Sequence, residues 1–244
     1  MTIVTINETG VQFAIPETSH EVFLHQLITF ERDIEPTEPP EIKREAELLA
    51  AIKTATKAAK AGLKEELAAV QKKMSAAWYR NKMIPYMCRV LGCFTNQPPS
   101  IFLDLEKTSV EDLYYSVENV LFDTSHVEKQ LYYVDGEVYM LPGEMLKSAI
   151  IKDWIEASYF FEAAQKMDGR ITGMLEVCAA LLKKEGETLN EDIFERNKKN
   201  FVHLSLFDIN CVAFFLLTLT QRSGQNTTLS FAIQQIQAMR RKEL

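Results

Sequence analysis

Alternating apolar and polar residues open the chain and predict a β-hairpin. Residues 2–6 and 11–15 alternate with a period of two around a short segment with the composition of a turn. A second hairpin is predicted over residues 131–141, because Asp135-Gly136 is the strongest short-range signal for a tight turn between two strands. The two hairpins can stand alone or pair into a single four-stranded antiparallel sheet, and the pattern leaves both arrangements open.

Apolar residues at helical spacing predict that most of the remaining chain is α-helical. The predicted helices cover residues 18–34, 41–77, 78–93 with a kink at Pro85, about 109–122, 144–167, 173–185, 190–200, 203–222 and 228–241. Gly92 is assigned to a loop, Gly186 to the end of its helix, and residues 203–222 to a central buried helix. The predicted class is α+β and mainly α-helical, with a helical block and a small antiparallel sheet.

The segment 41–77 is predicted to be one long projecting helix, because little but Gly62 interrupts its pattern. Much of the middle of its apolar stripe is alanine, which buries little area, so its centre is expected to be weakly anchored. We assign the stripe as a candidate partner-binding surface; it comprises Leu48, Ile52, Ala55, Ala59, Leu63, Leu67 and Val70. The predicted division is therefore 1–35 (hairpin and helix), 36–77 (acidic proline-rich linker and long helix) and 78–244 (helical domain with the second hairpin).

Charge changes sign along this segment. Residues 31–47 contain seven carboxylates and three basic residues, whereas residues 51–73 contain six lysines and two glutamates. The lysines assigned with the stripe as candidate partner-binding residues are Lys53, Lys57, Lys60 and Lys64. One interpretation is a solvated face with local ion pairs. The other is an arm that docks head to tail on another copy of the chain, with the charges setting orientation more than affinity.

Composition limits the possible partners and compartment. The 244 residues carry a net charge of −7 and are 47% hydrophobic, which argues against a general nucleic-acid-binding protein. The four cysteines form no C-x-x-C pair and are expected to be buried thiols in a reducing compartment. The N-terminal residues do not resemble a signal peptide, and no apolar run is long enough to span a membrane. We therefore expect a cytoplasmic protein with no membrane partner.

The sequence contains no recognisable catalytic, cofactor-binding or metal-binding motif. Metal-ligand spacings, phosphate-binding glycine loops and nucleophile motifs are missing, so no cofactor is expected. Asp153 and Glu156 lie one turn apart and could act as an acid–base pair, but the solvent-exposed face of an amphipathic helix is the simpler interpretation. Seven aromatic residues between 132 and 161 are similarly assigned to core packing rather than to a stacking platform for single-stranded nucleic acid.

Several local patterns between residues 131 and 220 resemble small virion-assembly proteins of tailed bacteriophages. They are Tyr133-x-x-Gly136-x-x-Tyr139, Trp154-Ile155-Glu156, Ala180-Leu181-Leu182-Lys183-Lys184-Glu185-Gly186-Glu187, the polar helix through Glu195-Arg196, and Phe214-Phe215-Leu216. The resemblance implies a non-enzymatic protein, similar to tail-assembly chaperones or minor structural components, that binds other virion proteins. It carries over no catalytic residue.

The leading hypothesis is therefore a non-enzymatic interaction protein in bacteriophage particle assembly, which binds other virion or assembly proteins and can form a homo-oligomer. The alternative is a regulatory or nucleic-acid-associated helical protein that uses the basic segment 51–73 as its contact. An enzyme of an unrecognised class is the third hypothesis, and it would need a polar pocket with strongly shifted titratable groups.

Overall fold

The described part of the chain is mainly helical with two small antiparallel sheets, in agreement with the predicted class. The computed structural model describes residues 1–5, 10–141 and 170–223. The strands are β1 (Thr2–Thr5), β2 (Gln12–Ile15), β3 (Leu131–Val134) and β4 (Glu137–Met140). The helices are α1 (Leu24–Thr29), α2 (Pro40–Thr54), α3 (Lys57–Lys73), α4 (Ala76–Trp78), α5 (Ile84–Thr95), α6 (Ser100–Leu103), α7 (Lys107–Leu121), α8 (Arg170–Leu181), α9 (Glu191–Phe201) and α10 (Leu206–Ser223). Single turns of 3-10 or π helix cover Ser19–Glu21, Phe30–Ile34, Glu35–Thr37 and Tyr79–Met83.

The described residues divide into two compact units. The first unit contains Met1–Pro16 and Arg32–Asn119, and the second contains Glu17–Glu31 and the residues described from Val120 onward. These units cut across the three-part division taken from the sequence, because the N-terminal hairpin and α1 fall in different units.

Both predicted hairpins form, but as two separate two-stranded sheets rather than one sheet of four strands. Asp135 and Gly136 have φ angles of 50° and 80°, as a type I′ turn between β3 and β4 requires. The outer edge of β4 is already paired, since the Met140 N–H donates to the Lys183 carbonyl at 2.8 Å and the Lys183 N–H donates back at 3.1 Å. That pairing takes up the edge of the β3–β4 hairpin at Met140.

In the first unit, β2 packs its apolar face against a helical core. The Phe13 ring meets the Phe102 ring edge to face with centroids 5.2 Å apart. Met87 and Leu91 of α5 are completely buried and form the centre of this core. The single π turn Tyr79–Met83 directly precedes α5 and interrupts the helix predicted over 78–93 near Pro85, which cannot donate a backbone hydrogen bond.

Gly92 lies inside α5 and not in a loop, so that assignment was wrong. The helix continues to Thr95 and ends at Asn96, whose φ of 55° is left-handed. The Gly92 carbonyl accepts hydrogen bonds from the N–H groups of both Asn96 and Gln97. A Cβ at Gly92 would lie 2.8 Å from the Gln97 oxygen and 3.1 Å from Pro99 Cγ. Glycine is therefore needed here for the close return of the chain rather than for a loop.

In the second unit, the helix predicted over 18–34 is divided. Val22 and the residue after it are extended, because the Leu206 N–H donates to the Val22 carbonyl at 2.7 Å and the Leu24 N–H donates to the Leu204 carbonyl at 2.8 Å. Hydrogen bonds to a segment 180 or so positions away in sequence thus override the local helical pattern, and α1 begins only at Leu24.

The helix predicted over 173–185 is α8, which ends at Leu181 because Lys183 pairs with β4. Gly186 has a φ of 79°, but it lies in the turn that follows and does not end the helix. The polar helix predicted from Asn190 is confirmed as α9, and the Asn190 side chain accepts the Ile193 N–H at 2.9 Å.

One buried amide joins α8 to α9. Asn197 is completely buried, and its Nδ2 donates to the Ala179 and Leu182 carbonyls at 3.1 and 3.0 Å. These carbonyls belong to the C-terminal turn of α8, where helices leave acceptors unsatisfied. Next to it, Arg196 donates to both carboxylate oxygens of Glu187 at 2.7 Å.

The helix predicted over 203–222 is α10. Among residues 206–216, Ile209, Val212 and Leu216 are in the core, and Phe214 is 36% exposed. The other side chains of residues 206–216 are buried or half-buried, so in this part of the helix only Phe214 departs from the predicted burial. The helices predicted over 144–167 and 228–241 lie outside the described residues.

Candidate interaction surface

The predicted single helix over 41–77 is two helices that fold back on each other. The backbone is extended at Ala55 and Thr56, with ψ angles of 152° and 159°, and α3 then returns antiparallel to α2. Contacts across the pair confirm the direction: Arg44 Nη2 lies 2.6 Å from Glu66 Oε1, and Gln71 Nε2 donates to Glu45 at 2.8 Å. We call Pro40–Lys73 the helical hairpin.

Folding back buries part of the apolar stripe that the sequence assigned to a partner. Leu48 and Val70 are 1% and 9% exposed. The members that are half-buried are Ile52, Ala55, Leu63 and Leu67, and Ala59 near the turn is exposed. A long isolated helix would leave this stripe in water, so the return of α3 supplies the cover that the helix needs.

The helical hairpin is anchored at its base. Lys82 donates to Glu41 at 2.9 Å and is the main cause of a lowered pKa at Glu41. The buried Trp78 indole also lowers the pKa of Glu41, although Trp78 Nε1 and Glu41 Oε2 do not reach full hydrogen-bond geometry. Ser75 caps this turn by accepting the Trp78 N–H at 3.2 Å. At 1.5 Å per residue, the turn between α2 and α3 lies about 20 Å from this anchor.

One flank of the helical hairpin is neutralised by its own ion pairs. Arg44 contacts Glu47 at 3.0 Å within α2 and Glu66 at 2.6 Å across to α3. The pKa of Arg44 is raised by these carboxylates, with Glu66 the larger cause. This flank therefore has little unbalanced charge to offer a partner.

The opposite flank has no such compensation. One side of α3 carries Lys57, Lys60 and Lys64, and this side also carries Gln71. Lys53 of α2 lies on the same flank of the helical hairpin. Lys53, Lys57 and Lys64 are exposed and Lys60 is half-buried. We call Lys53, Lys57, Lys60 and Lys64 the lysine face.

No ion pair involves the lysine face within the described part of the chain. Residues 48–64 contain these four lysines and no carboxylate. Lys57 and Lys60 also lie in the first turn of α3, where the helix dipole disfavours positive charge. Leu49, on the same flank, is 45% exposed. An anionic, partly apolar partner would relieve both the charge and the exposure.

A second candidate surface, which was not predicted from the sequence, lies on α7. Helical spacing places Glu111, Asp112 and Glu118 around Tyr115, which is 50% exposed. Partial burial raises the pKa of Tyr115, and the negative charges of Glu118 and Glu111 raise it further. We call these four residues the acidic face. Its signal in the sequence was the run 104–118, with five carboxylates and one lysine.

Two carboxylates of the acidic face also have contacts inside the first unit. Glu111 accepts a hydrogen bond from the Tyr79 hydroxyl and lies 3.4 Å from Lys107 Nζ. Glu118 accepts from the Tyr114 hydroxyl at 3.1 Å, and burial raises its pKa. Asp112 is exposed, and its carboxylate has no partner among the described residues. Asp112 is thus the carboxylate most available to a partner.

The other candidate chemistry of the sequence does not assemble in the described residues. His203 Nδ1 lies 3.2 Å from Asp135 on the surface, and its ring centroid is 6.1 Å from that of His25. Within residues 1–5, 10–141 and 170–223, no group of three His, Cys, Asp or Glu side chains is placed to hold a metal ion. Asp153 and Glu156 lie outside the described residues.

The aromatic residues of β3 and β4 mostly belong to the core. Tyr132 and Tyr139 are completely buried, and the Tyr139 ring packs on Phe201 with centroids 4.7 Å apart. Tyr133 points outward and is 68% exposed. The remaining aromatic residues of this group, from 154 to 161, lie outside the described residues.

The described thiols are all reduced. Cys88, Cys178 and Cys211 are buried and Cys93 is half-buried. Burial raises the pKa of Cys88 to about 11 and that of Cys178 to about 12, so both are poor nucleophiles near neutral pH.

Among the described helices, none combines the length and apolar character needed to cross a membrane. Comparison of the chain with protein-family models, with curated proteins and with solved structures found no match.

Proposed function

We propose that this chain is a non-enzymatic protein-interaction protein that acts in the assembly of a bacteriophage particle, as a minor structural component or an assembly chaperone. The observation that supports the proposal is the helical hairpin. It is anchored at its base by Glu41, neutralised by Arg44 on one flank, and uncompensated on the lysine face.

The helical hairpin has the properties of a docking element. Two antiparallel helices hold the lysines at set positions, so less conformational freedom is lost on binding than with a flexible basic segment. Each exposed ion pair contributes only about 0.2–1 kcal/mol, so the lysine face would mainly orient the partner and speed association. The exposed Leu49 side chain would add apolar burial to the same contact.

The bacteriophage context rests on the resemblance of residues 131–220. The hairpin of β3 and β4 belongs to that region, and its outward side presents Leu131, Tyr133 and Val138, which are 42%, 68% and 41% exposed. A chain that binds several particle proteins would use surfaces of this kind. We place its action in the cytoplasm of the host cell.

A second candidate function uses the same four lysines for the phosphates of a nucleic acid. Each phosphate contact would contribute a slope of about −0.9 to log K against log salt. Full use of the lysine face would therefore give a slope of about −3.6, and binding would be independent of base sequence.

Cross-linking in cells that make the particle tests the proposed function. A tagged chain is cross-linked through its lysines, purified, and its partners and linked positions are identified by mass spectrometry. We expect virion proteins linked to Lys53, Lys57 or Lys64, and loss of the same proteins from a purification without cross-linker when the three are changed to glutamine. The matched control changes Lys72 and Lys73, exposed at the other end of α3, and should keep its partners. Recovery of no virion protein, or equal recovery with both variants, would contradict the proposal.

A further inference from the structure

We infer that the lysine face of one copy docks on the acidic face of a second copy of this chain, so that copies associate head to tail. This inference deepens the proposed function and rests on it, because it identifies one partner of the helical hairpin. It commits to a second copy because both complementary surfaces are present in the first unit of the same chain.

The two faces match in charge and in spacing. The lysine face contributes four positive charges, and the acidic face contributes three carboxylates, those of Glu111, Asp112 and Glu118. Lys57 and Lys64 are seven residues apart, as are Glu111 and Glu118, so each pair spans about 10.5 Å along its helix. Two helices lying side by side can therefore place the lysines against Asp112, the carboxylate of the acidic face with no partner among the described residues, with Glu111 and Glu118 on either side of it.

Each face also contains one exposed apolar side chain. Leu49 is 45% exposed beside the lysines, and Tyr115 is 50% exposed among the carboxylates. A tyrosine in this position brings a large apolar surface and a hydroxyl, the combination that is enriched in protein interfaces. The exposed apolar side chains favour a protein over a nucleic acid as the partner. Residues 48–64, which carry the lysine face, contain no aromatic residue on which a base could stack.

The contact cannot readily form within one copy. Glu111 accepts a hydrogen bond from Tyr79, and Lys82, in the same helical turn as Tyr79, donates to Glu41 at the base of the helical hairpin. The acidic face therefore lies near the base of the helical hairpin. Lys53 and Lys57 flank the turn between α2 and α3, about 20 Å along α2 from the anchor at Glu41, a length that exceeds the screening length of about 8 Å at physiological salt. In addition, α2 and α3 pack chiefly against each other.

A contact between two different patches is heterologous. Such contacts produce closed rings or open filaments, according to the rotation between neighbouring copies. Each copy then uses its lysine face once and its acidic face once. This pattern is easily distinguished from a two-fold dimer built on a single patch, because charge reversal at either face breaks every contact.

Charge-reversal variants test the inference. The first variant carries Lys53→Glu, Lys57→Glu and Lys64→Glu, all at exposed positions of the lysine face. The second carries Thr108→Lys, Asp112→Lys and Asn119→Lys, all exposed on the side of α7 that bears Tyr115. A control variant carries Lys72→Glu and Lys73→Glu. Circular dichroism first verifies that each variant is folded as the wild type is.

Sedimentation velocity at about 50 mM salt measures the association. We expect the wild type and the control to associate with increasing concentration, and each face variant alone to lose at least about tenfold in association constant. An equimolar mixture of the two face variants should associate again, because the unaltered lysine face of one variant meets the unaltered acidic face of the other, and the two reversed faces also attract each other. A monomeric wild type, unaffected face variants, or a mixture that stays monomeric would each overturn the inference.

The same experiment separates this inference from the proposed function. A monomeric wild type that still loses its virion partners on glutamine substitution of the lysine face would remove self-association alone. A monomeric wild type that binds duplex DNA through these lysines, with a steep salt dependence, would instead favour the nucleic-acid function and overturn the inference.

Discussion

Replacing Leu48 by alanine should destabilise the helical hairpin far more than the same change at its neighbour Leu49. Leu48 is 1% exposed and Leu49 is 45% exposed, although both lie in the middle of α2. The two substitutions have the same effect on helix propensity and on the unfolded chain, so the difference between them measures burial alone.

The magnitude follows from the burial. Three carbon atoms are removed, at about 0.8 kcal/mol each, and the cavity that remains adds to this loss. We expect Leu48→Ala to cost about 2.5–4 kcal/mol and Leu49→Ala to cost less than about 1 kcal/mol. Native-state hydrogen exchange monitors α2 and α3 separately from the second unit, and its rates there should rise by about 60- to 700-fold for Leu48→Ala.

Equal effects of the two substitutions would refute the reasoning. If residues 41–77 formed one isolated helix, Leu48 and Leu49 would both face water and neither loss would exceed about 1 kcal/mol. A large loss at both positions would mean that Leu49 is covered, which would also remove it from the lysine-face flank.

Three further predictions concern single features of the two units. Gly92→Ala should lower the free energy of unfolding in urea by about 1–3 kcal/mol, since the added methyl group would lie 2.8 Å from a backbone oxygen. Gly62→Ala should instead stabilise α3 by about 0.5–1 kcal/mol, because the space around Gly62 is open. Asn197→Leu should cost about 2–3 kcal/mol in the same assay, because two buried carbonyls lose their donor. Arg196 lowers the pKa of Glu187, so the stability that Glu187 contributes is present above about pH 4.3 and is lost as pH falls through its lower folded-state pKa. Thermal melts from pH 7 to 3 should show this loss of stability in the wild type, and Glu187→Gln should make the loss smaller. Equal pH dependence in the wild type and the variant would contradict a stabilising role for the Glu187–Arg196 pair.

The parts of the fold that local signals control were predicted correctly. Asp135-Gly136 set the second hairpin, and Asn190 marked the start of α9, because turn and cap chemistry acts within a few residues. The boundaries that distant hydrogen bonds control were not predicted. Val22 and Lys183 are extended because they pair with segments far away in the sequence.

The turn of the helical hairpin shows the same limit. Thr54-Ala55-Thr56 contains neither glycine nor proline, so the pattern of residues 41–77 continues through it without a break. The structure reverses the chain there because the return of α3 buries Leu48 and Val70. The lysines of the candidate surface were nevertheless identified from their charge, and only their position around a turn required the structure.

The acidic face on α7 could not be chosen from the sequence alone. Carboxylates on an amphipathic helix are common, and nothing in the pattern distinguishes Asp112 from Glu111 or Glu118. The structure separates them, since the latter two accept hydrogen bonds from tyrosine hydroxyls while Asp112 is exposed.

The measurement that tests the role of the helical hairpin most directly is the solution mass of the wild-type protein, by light scattering on a size-exclusion column at several salt concentrations. A mass above the 27.9 kDa of one chain at about 50 mM salt, falling towards that value at about 500 mM, is the expected result. A mass of 27.9 kDa at every salt and protein concentration would contradict the docking of one copy on another.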